Sequence, residues 1–138
     1  MKVMVFVKAN SDSEAGKMPS AEEFREMGHF NEQLAKAGVL LAGEGLQASS
    51  KGKRVRCVGK ERTVIDGPFA ETKELVAGFW IWQVKSIEEA VEWVRRSPFQ
   101  EGEIEIRPIF GPEDFGDAIP ADVAAQEARL RAESERRK

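Results

Sequence analysis

One cysteine and one histidine are all this chain has of those two residue types. A lone Cys57 excludes an intrachain disulfide framework and fits a reducing, cytoplasmic compartment. With only His29 to join it, a conventional zinc site lacks ligands, and no metal is expected. Alternating with Val55 on an expected strand, Cys57 reads as a small core residue. No apolar run approaches the roughly 20 residues a membrane helix needs, so no membrane partner is expected. Met1 to Val7 is apolar but stops at Lys8 without a small-residue cleavage site, which reads as a first strand rather than a signal peptide. Positive charge is not in excess either: 21 Lys and Arg stand against 24 Asp and Glu, a formal charge of −3. That balance argues against a nucleic-acid partner, which selects for a basic stripe. The small patch of Lys51, Lys53, Arg54 and Arg56 reads as a solvated hairpin face. A glycine-rich phosphate loop, a Gly-x-Ser-x-Gly elbow and a dinucleotide fingerprint are all missing, and no cofactor is expected.

What is present suits one domain with a proper core, 138 residues being too short for two. Lys2 to Val7 predicts a central strand. After a polar loop over 9 to 17, Ser20-Ala21-Glu22-Glu23 forms a capping box, and a helix is expected to run to Ala37 with Gly38 closing it. At about 100° per residue, Phe24, Met27, Phe30 and Leu34 share its apolar face with Asn31, while His29 projects among charges on the other side. Val39 to Gln47 predicts a strand, Arg54 to Val58 and Arg62 to Ile65 a hairpin turning at Gly59-Lys60, and Leu75 to Lys85 a strand carrying Phe79, Trp80, Ile81 and Trp82. Ser86 to Glu89 repeats the capping pattern before a helix expected to bury Ile87, Ala90, Val91 and Val94. Glu103 to Ile109 alternates as a last strand.

The order strand, helix, strand, hairpin, strand, helix, strand predicts an α+β, ferredoxin-like βαββαβ sandwich with an inserted hairpin and both helices on one side of the sheet. The other side then needs a cover, and a second copy of the chain is the cheapest. Residues 1–110 form the expected domain. Residues 111–138 form a C-terminal extension, a linker with Phe115 as an anchor and then a marginal helix expected to lie across its own or a partner subunit.

The run Asp66-Gly67-Pro68-Phe69 ends a strand in a constrained turn. With Val39 to Leu46 and Glu103 to Pro108, it makes residues 1 to 110 resemble the YCII-related family, in its Asp-Gly-Pro-Phe branch. The resemblance implies a dimeric α/β-barrel in which two ferredoxin-like sheets face each other. It also implies a bacterial, cytoplasmic protein, in some members associated with extracytoplasmic-type sigma factors. The family's suspected His–Asp pair is matched here only on the Asp side, by Asp66.

Asp66 is the candidate catalytic acid/base, if aromatic surface desolvates it; as an alternative it caps the Gly-Pro turn. Glu44 lies between Gly43 and Gly45, open to a ligand, unless the glycines serve a bulge or tight packing. Arg107 suits a carboxylate-bearing ligand on the inward sheet face, or an ion pair with Glu105 or Glu44. Asn31 needs a ligand or a backbone group as partner if buried. Trp80 and Trp82 offer a stacking surface or plain packing. Glu71 and Lys73 read as an exposed turn. The expected function is small-molecule binding in a pocket of a homodimer, with lyase or isomerase chemistry within reach of one carboxylate. The alternative is a non-catalytic interaction module, accessory to a sigma-factor regulator.

Overall fold

The computed structural model describes residues 1–137, apart from the side chain of Lys73. Six strands and four helices follow in the order β1 (Lys2–Lys8), α1 (Ser11–Glu14), α2 (Ala21–Lys36), β2 (Leu40–Gly45), β3 (Lys53–Val58), β4 (Glu61–Asp66), β5 (Val76–Gln83), α3 (Ile87–Arg95), β6 (Ile104–Pro108) and α4 (Ala121–Arg136). The main sheet runs β2-β5-β1-β6, antiparallel throughout, and β3-β4 forms a separate two-stranded hairpin. This strand order with two helices on one side is the ferredoxin-like α+β arrangement.

Local chemistry sets the helix ends. The Ser20 hydroxyl accepts the Glu23 N–H at 3.1 Å, and the Glu23 carboxylate accepts the Ser20 N–H at 3.2 Å, so α2 starts on a reciprocal capping box. It stops at Gly38, whose φ of 74° a β-carbon would disfavour. Ser86 caps α3 by accepting the Glu89 N–H at 3.1 Å. Glu89 does not complete that box. Its carboxylate takes the Lys85 N–H at 2.7 Å and the Trp93 indole N–H at 3.2 Å.

In an antiparallel pair, opposed residues share a face of the sheet. Val3 opposes Trp82 and Val5 opposes Trp80, so all four point the same way. Phe30 and Leu34 of α2 and Ala90 and Trp93 of α3 close over them as one core. The Phe30 ring meets Trp80, Trp82 and Trp93 edge-on at 5.8, 6.4 and 6.4 Å between centroids. Trp82 and Leu34 are fully enclosed, and burial of each contributes about 1.5–3 kcal/mol.

Several expectations need correction. The loop over 9 to 17 contains the short helix α1, capped by Asn10. Phe24 is 58% exposed, because at about 100° per residue it lies about 80–120° round α2 from Leu34 and Phe30, at the edge of the buried face. On α3, Val91 is exposed and Trp93 is buried in its place, because the helix turns the indole inward and Glu89 satisfies its N–H. Cys57 is exposed, as are Val55, Val58 and Val64, because the hairpin stands off the sheet and has no core of its own. Along α4 every described residue but Val123 and Glu133 is exposed. Phe115 stacks on Phe110 at 4.6 Å between centroids, and both rings remain exposed.

Candidate functional site

The tryptophan side of the sheet is the one roofed by the chain's own helices, so the side that needs a cover is the other. There Met4 opposes Ile81 and Phe6 opposes Phe79 across β1 and β5, and no residue of that face is buried. Ionic groups border the apolar strip. Glu105 opposes Phe6 and Arg107 opposes Met4. The Lys8 ammonium lies 3.1 Å from Glu105, whose other oxygen is 3.9 Å from the Arg107 guanidinium. A register shift between Leu40 and Ala42 turns β2 over, so Leu40 follows the tryptophans inward while Ala42 and Glu44 join Ile81 and Phe79.

This arrangement brings Glu44 and Arg107 to one face, with Glu105, the alternative partner expected for Arg107, and with Lys8, which the sequence reading passed over. Of the alternatives for Arg107, the pair with Glu105 is the one formed, and the guanidinium stays mostly exposed. Of the two glycines beside Glu44, Gly43 serves packing, since a β-carbon there would lie 2.7 Å from the Trp80 ring, while a β-carbon at Gly45 would meet nothing within 4 Å. Asn31 and Trp80 satisfy each other, the indole N–H donating to the Asn31 amide oxygen at 2.9 Å. They belong to the helix-covered core, as does Trp82, whose indole N–H has no acceptor among the described residues. His29 is exposed on α2. Among the described residues no group of three or more His, Cys, Asp and Glu is placed to hold a metal ion.

Asp66 lies apart, at the foot of the hairpin. It opposes Lys53, its carboxylate forms an ion pair with the Lys53 ammonium, and its side chain is 74% exposed. Neither the desolvated setting nor the turn cap is formed in the single subunit. The rest of the Asp-Gly-Pro-Phe turn has a clear architectural role. Gly67 does not use a left-handed conformation. It is required because a β-carbon there would overlap the Ser49 carbonyl oxygen and lie 2.6 Å from its carbon. The Ser49 hydroxyl accepts the Phe69 N–H at 3.1 Å. The Glu14 carboxylate accepts the Ser49 N–H at 2.9 Å and the Ser49 hydroxyl. These bonds hold the Glu14 carboxyl below its ordinary range, the hydroxyl contributing most and the N–H next. The Arg54 guanidinium sits 3.9 Å over the centre of the Phe69 ring. Glu71 is exposed, and the side chain of Lys73 lies outside the described residues. Glu14 and Ser49 gave no sequence signal, being loop-edge residues 35 apart.

An antiparallel sheet with helices on one side and an apolar, ion-rimmed opposite side defines a ferredoxin-like α+β domain with one face left over. The model of the YCII-related domain matches residues 1–113, and the chain belongs to that family. An uncharacterized protein of Rhizobium meliloti (strain 1021) is 31% identical over 88 residues, 62% of this chain and 71% of the relative. Among solved structures, the 5-chloro-2-hydroxyhydroquinone dehydrochlorinase of Burkholderia phenoliruptrix AC1100, in complex with 2,5-dihydroxybenzoquinone, superposes with a TM-score of 0.45 at 15% identity. The alignment covers 83% of this chain and 98% of that one. Among the described residues, no helix is long and apolar enough to cross a membrane.

Proposed function

We propose that the protein is a cytoplasmic, small-molecule-binding homodimer of the Asp-Gly-Pro-Phe branch, in which the free sheet faces of two copies meet as a barrel and enclose the ligand. The observation that carries this reading is the strip of Met4, Phe6, Phe79 and Ile81, which neither α2 nor α3 covers. An apolar strip bordered by Lys8, Glu105, Arg107 and Glu44 suits a ligand with an apolar body and an anionic or hydrogen-bonding end. A lyase or isomerase moving one proton needs little more than such a pocket and one carboxylate. Asp66 serves as that carboxylate only through closure of the dimer, since in one subunit it is exposed and paired with Lys53.

A thermal-shift screen against a metabolite library at several pH values tests the reading, because a ligand bound by the folded state raises Tm by mass action. Asp66→Ala in a dimer that stays intact is expected to abolish binding of a hit. Unchanged binding removes Asp66 from the site.

A second reading, a non-catalytic interaction module attached to a sigma-factor regulator, draws on the C-terminal extension from residue 111. Helix α4 leaves Leu130 48% exposed and buries none of its residues, as expected of a helix awaiting a partner. Deleting residues 118–138 separates the two: lost partner binding with ligand binding preserved favours the module.

A further inference from the structure

The geometry points to the β3–β4 hairpin of one subunit docking on the start of β6 in the other, with its arginines against Glu101 and Glu103 of the partner subunit. The inference rests on the proposed dimer and specifies how its two copies are oriented.

The hairpin leaves and re-enters the main sheet between β2 and β5 yet pairs with neither. A two-stranded ribbon is marginal in water, and this one exposes Val55, Val58 and Val64 to 56–60% on its two faces. It is also the basic part of an acidic chain: residues 51–66 hold six Lys and Arg against two acids, while the remaining residues hold 15 against 22. Of those six cations, only Lys53 has a carboxylate partner among the described residues. A surface both apolar and charged in one sense fits a partner of opposite charge.

Sheet register supplies the partner. Gly45 of β2, Gly78 of β5, Val7 of β1 and Ile104 of β6 align across the sheet. The hairpin therefore leaves the sheet at the end where β6 begins, the end that also carries Glu101 and Glu103, both exposed and without a cationic partner among the described residues. Leu40, Trp82, Val3 and Pro108 align at the opposite end. Two facing sheets can be related by a two-fold axis along the strands or across them. An axis across the strands sets β2 beside β2 and carries each hairpin to the Leu40 end of its partner, where Lys2 and Lys85 lie and Lys36 is already paired with Glu32, so cation would meet cation. An axis along the strands sets β2 antiparallel to the partner's β6, joining the two unpaired edges, and brings each hairpin to Glu101 and Glu103 of the partner subunit. Charge selects the second arrangement, which occurs twice by symmetry.

The test is a charge swap followed by sedimentation at about 50 mM salt, where screening is weak. R54E/R56E and E101R/E103R are each expected to raise the dimer Kd about tenfold or more. The quadruple variant, carrying both reversals, is expected to return to within about threefold of wild type. As a second readout, a photo-crosslinker on Cys57, the sole cysteine, is expected to capture residues 98–107 of a differently isotope-labelled copy. Unchanged affinity in both double variants, weakening without recovery in the quadruple variant, or crosslinks confined to hairpin–hairpin pairs each overturn this inference while leaving the dimer in place. A wild-type chain monomeric across the micromolar range overturns the dimer as well.

Discussion

Replacing Gly67 with alanine puts the role of the Asp-Gly-Pro-Phe turn to a quantitative test. The added methyl would lie 2.6 Å from the Ser49 carbonyl carbon and 3.2 Å from the Ser50 nitrogen, where unstrained carbon contacts need about 3.5–4.0 Å. Both neighbours are backbone, so the 3-10 turn Ser49–Lys51 has to move by about 1 Å. Overpacking of this kind costs about 1–3 kcal/mol. The displacement also breaks the Phe69–Ser49 bond, which adds about 1 kcal/mol. A loss of about 2–4 kcal/mol is a large share of the total stability of a small domain, and for this length it lowers Tm by about 8–16 °C. Urea unfolding followed by fluorescence of the core tryptophans reads the loss, and hydrogen exchange at the Phe69 amide localises it. Gly45→Ala is the control, since a β-carbon there meets nothing within 4 Å. A Gly67→Ala protein within about 0.5 kcal/mol of wild type, with the Phe69 amide equally protected, would refute this account of the motif.

Acid sensitivity at the same turn has a defined sign. Because the folded-state pKa of Glu14 is lowered from the ordinary 4.5 by the Ser49 hydroxyl and N–H, its contribution is complete above that value and is lost as pH falls through the folded pKa. Wild type is expected to exceed Glu14→Gln in stability by a constant margin at neutral pH, and the margin is expected to shrink in acid, read by denaturation at a series of pH values. Two tryptophans on one strand should respond differently to phenylalanine. Trp80→Phe strands the Asn31 amide oxygen, whereas Trp82→Phe removes a donor with no acceptor among the described residues. Trp80→Phe is expected to cost about 1 kcal/mol more, and the reverse order would contradict the pairing. Leu34→Ala, at a fully enclosed site, is expected to lose about 2–5 kcal/mol in the same assay.

The elements that the sequence reveals are those decided by neighbours in the chain. Ser20 and Ser86 mark helix starts because a hydroxyl finds an N–H three residues on, and Gly38 and Gly59 mark stops because their φ values of 74° and 58° exclude most side chains. The ferredoxin-like arrangement is legible in the alternation of strands and capped helices. What stayed hidden depends on distant partners. Periodicity groups Phe24 and Val91 with apolar faces, but it does not say how far round each helix the covering surface reaches. It separates Trp80 and Trp82 from Phe79 and Ile81 without telling which pair the helices cover, and the bulge that delivers Glu44 to the free face leaves no mark in Leu40-Leu41-Ala42. Asp66 was legible as the end of a strand. Its pairing with Lys53 follows only from the hairpin register.

Sedimentation equilibrium of the wild-type chain beside Phe79→Asp tests most directly whether a second copy covers the free sheet face. The expected masses are twice 15.4 kDa for wild type and 15.4 kDa for the variant, with the variant's circular dichroism unchanged because Phe79 lies outside the helix-covered core. A wild type that sediments as a single chain across the micromolar range, or a variant that dimerises as tightly as wild type, contradicts the account.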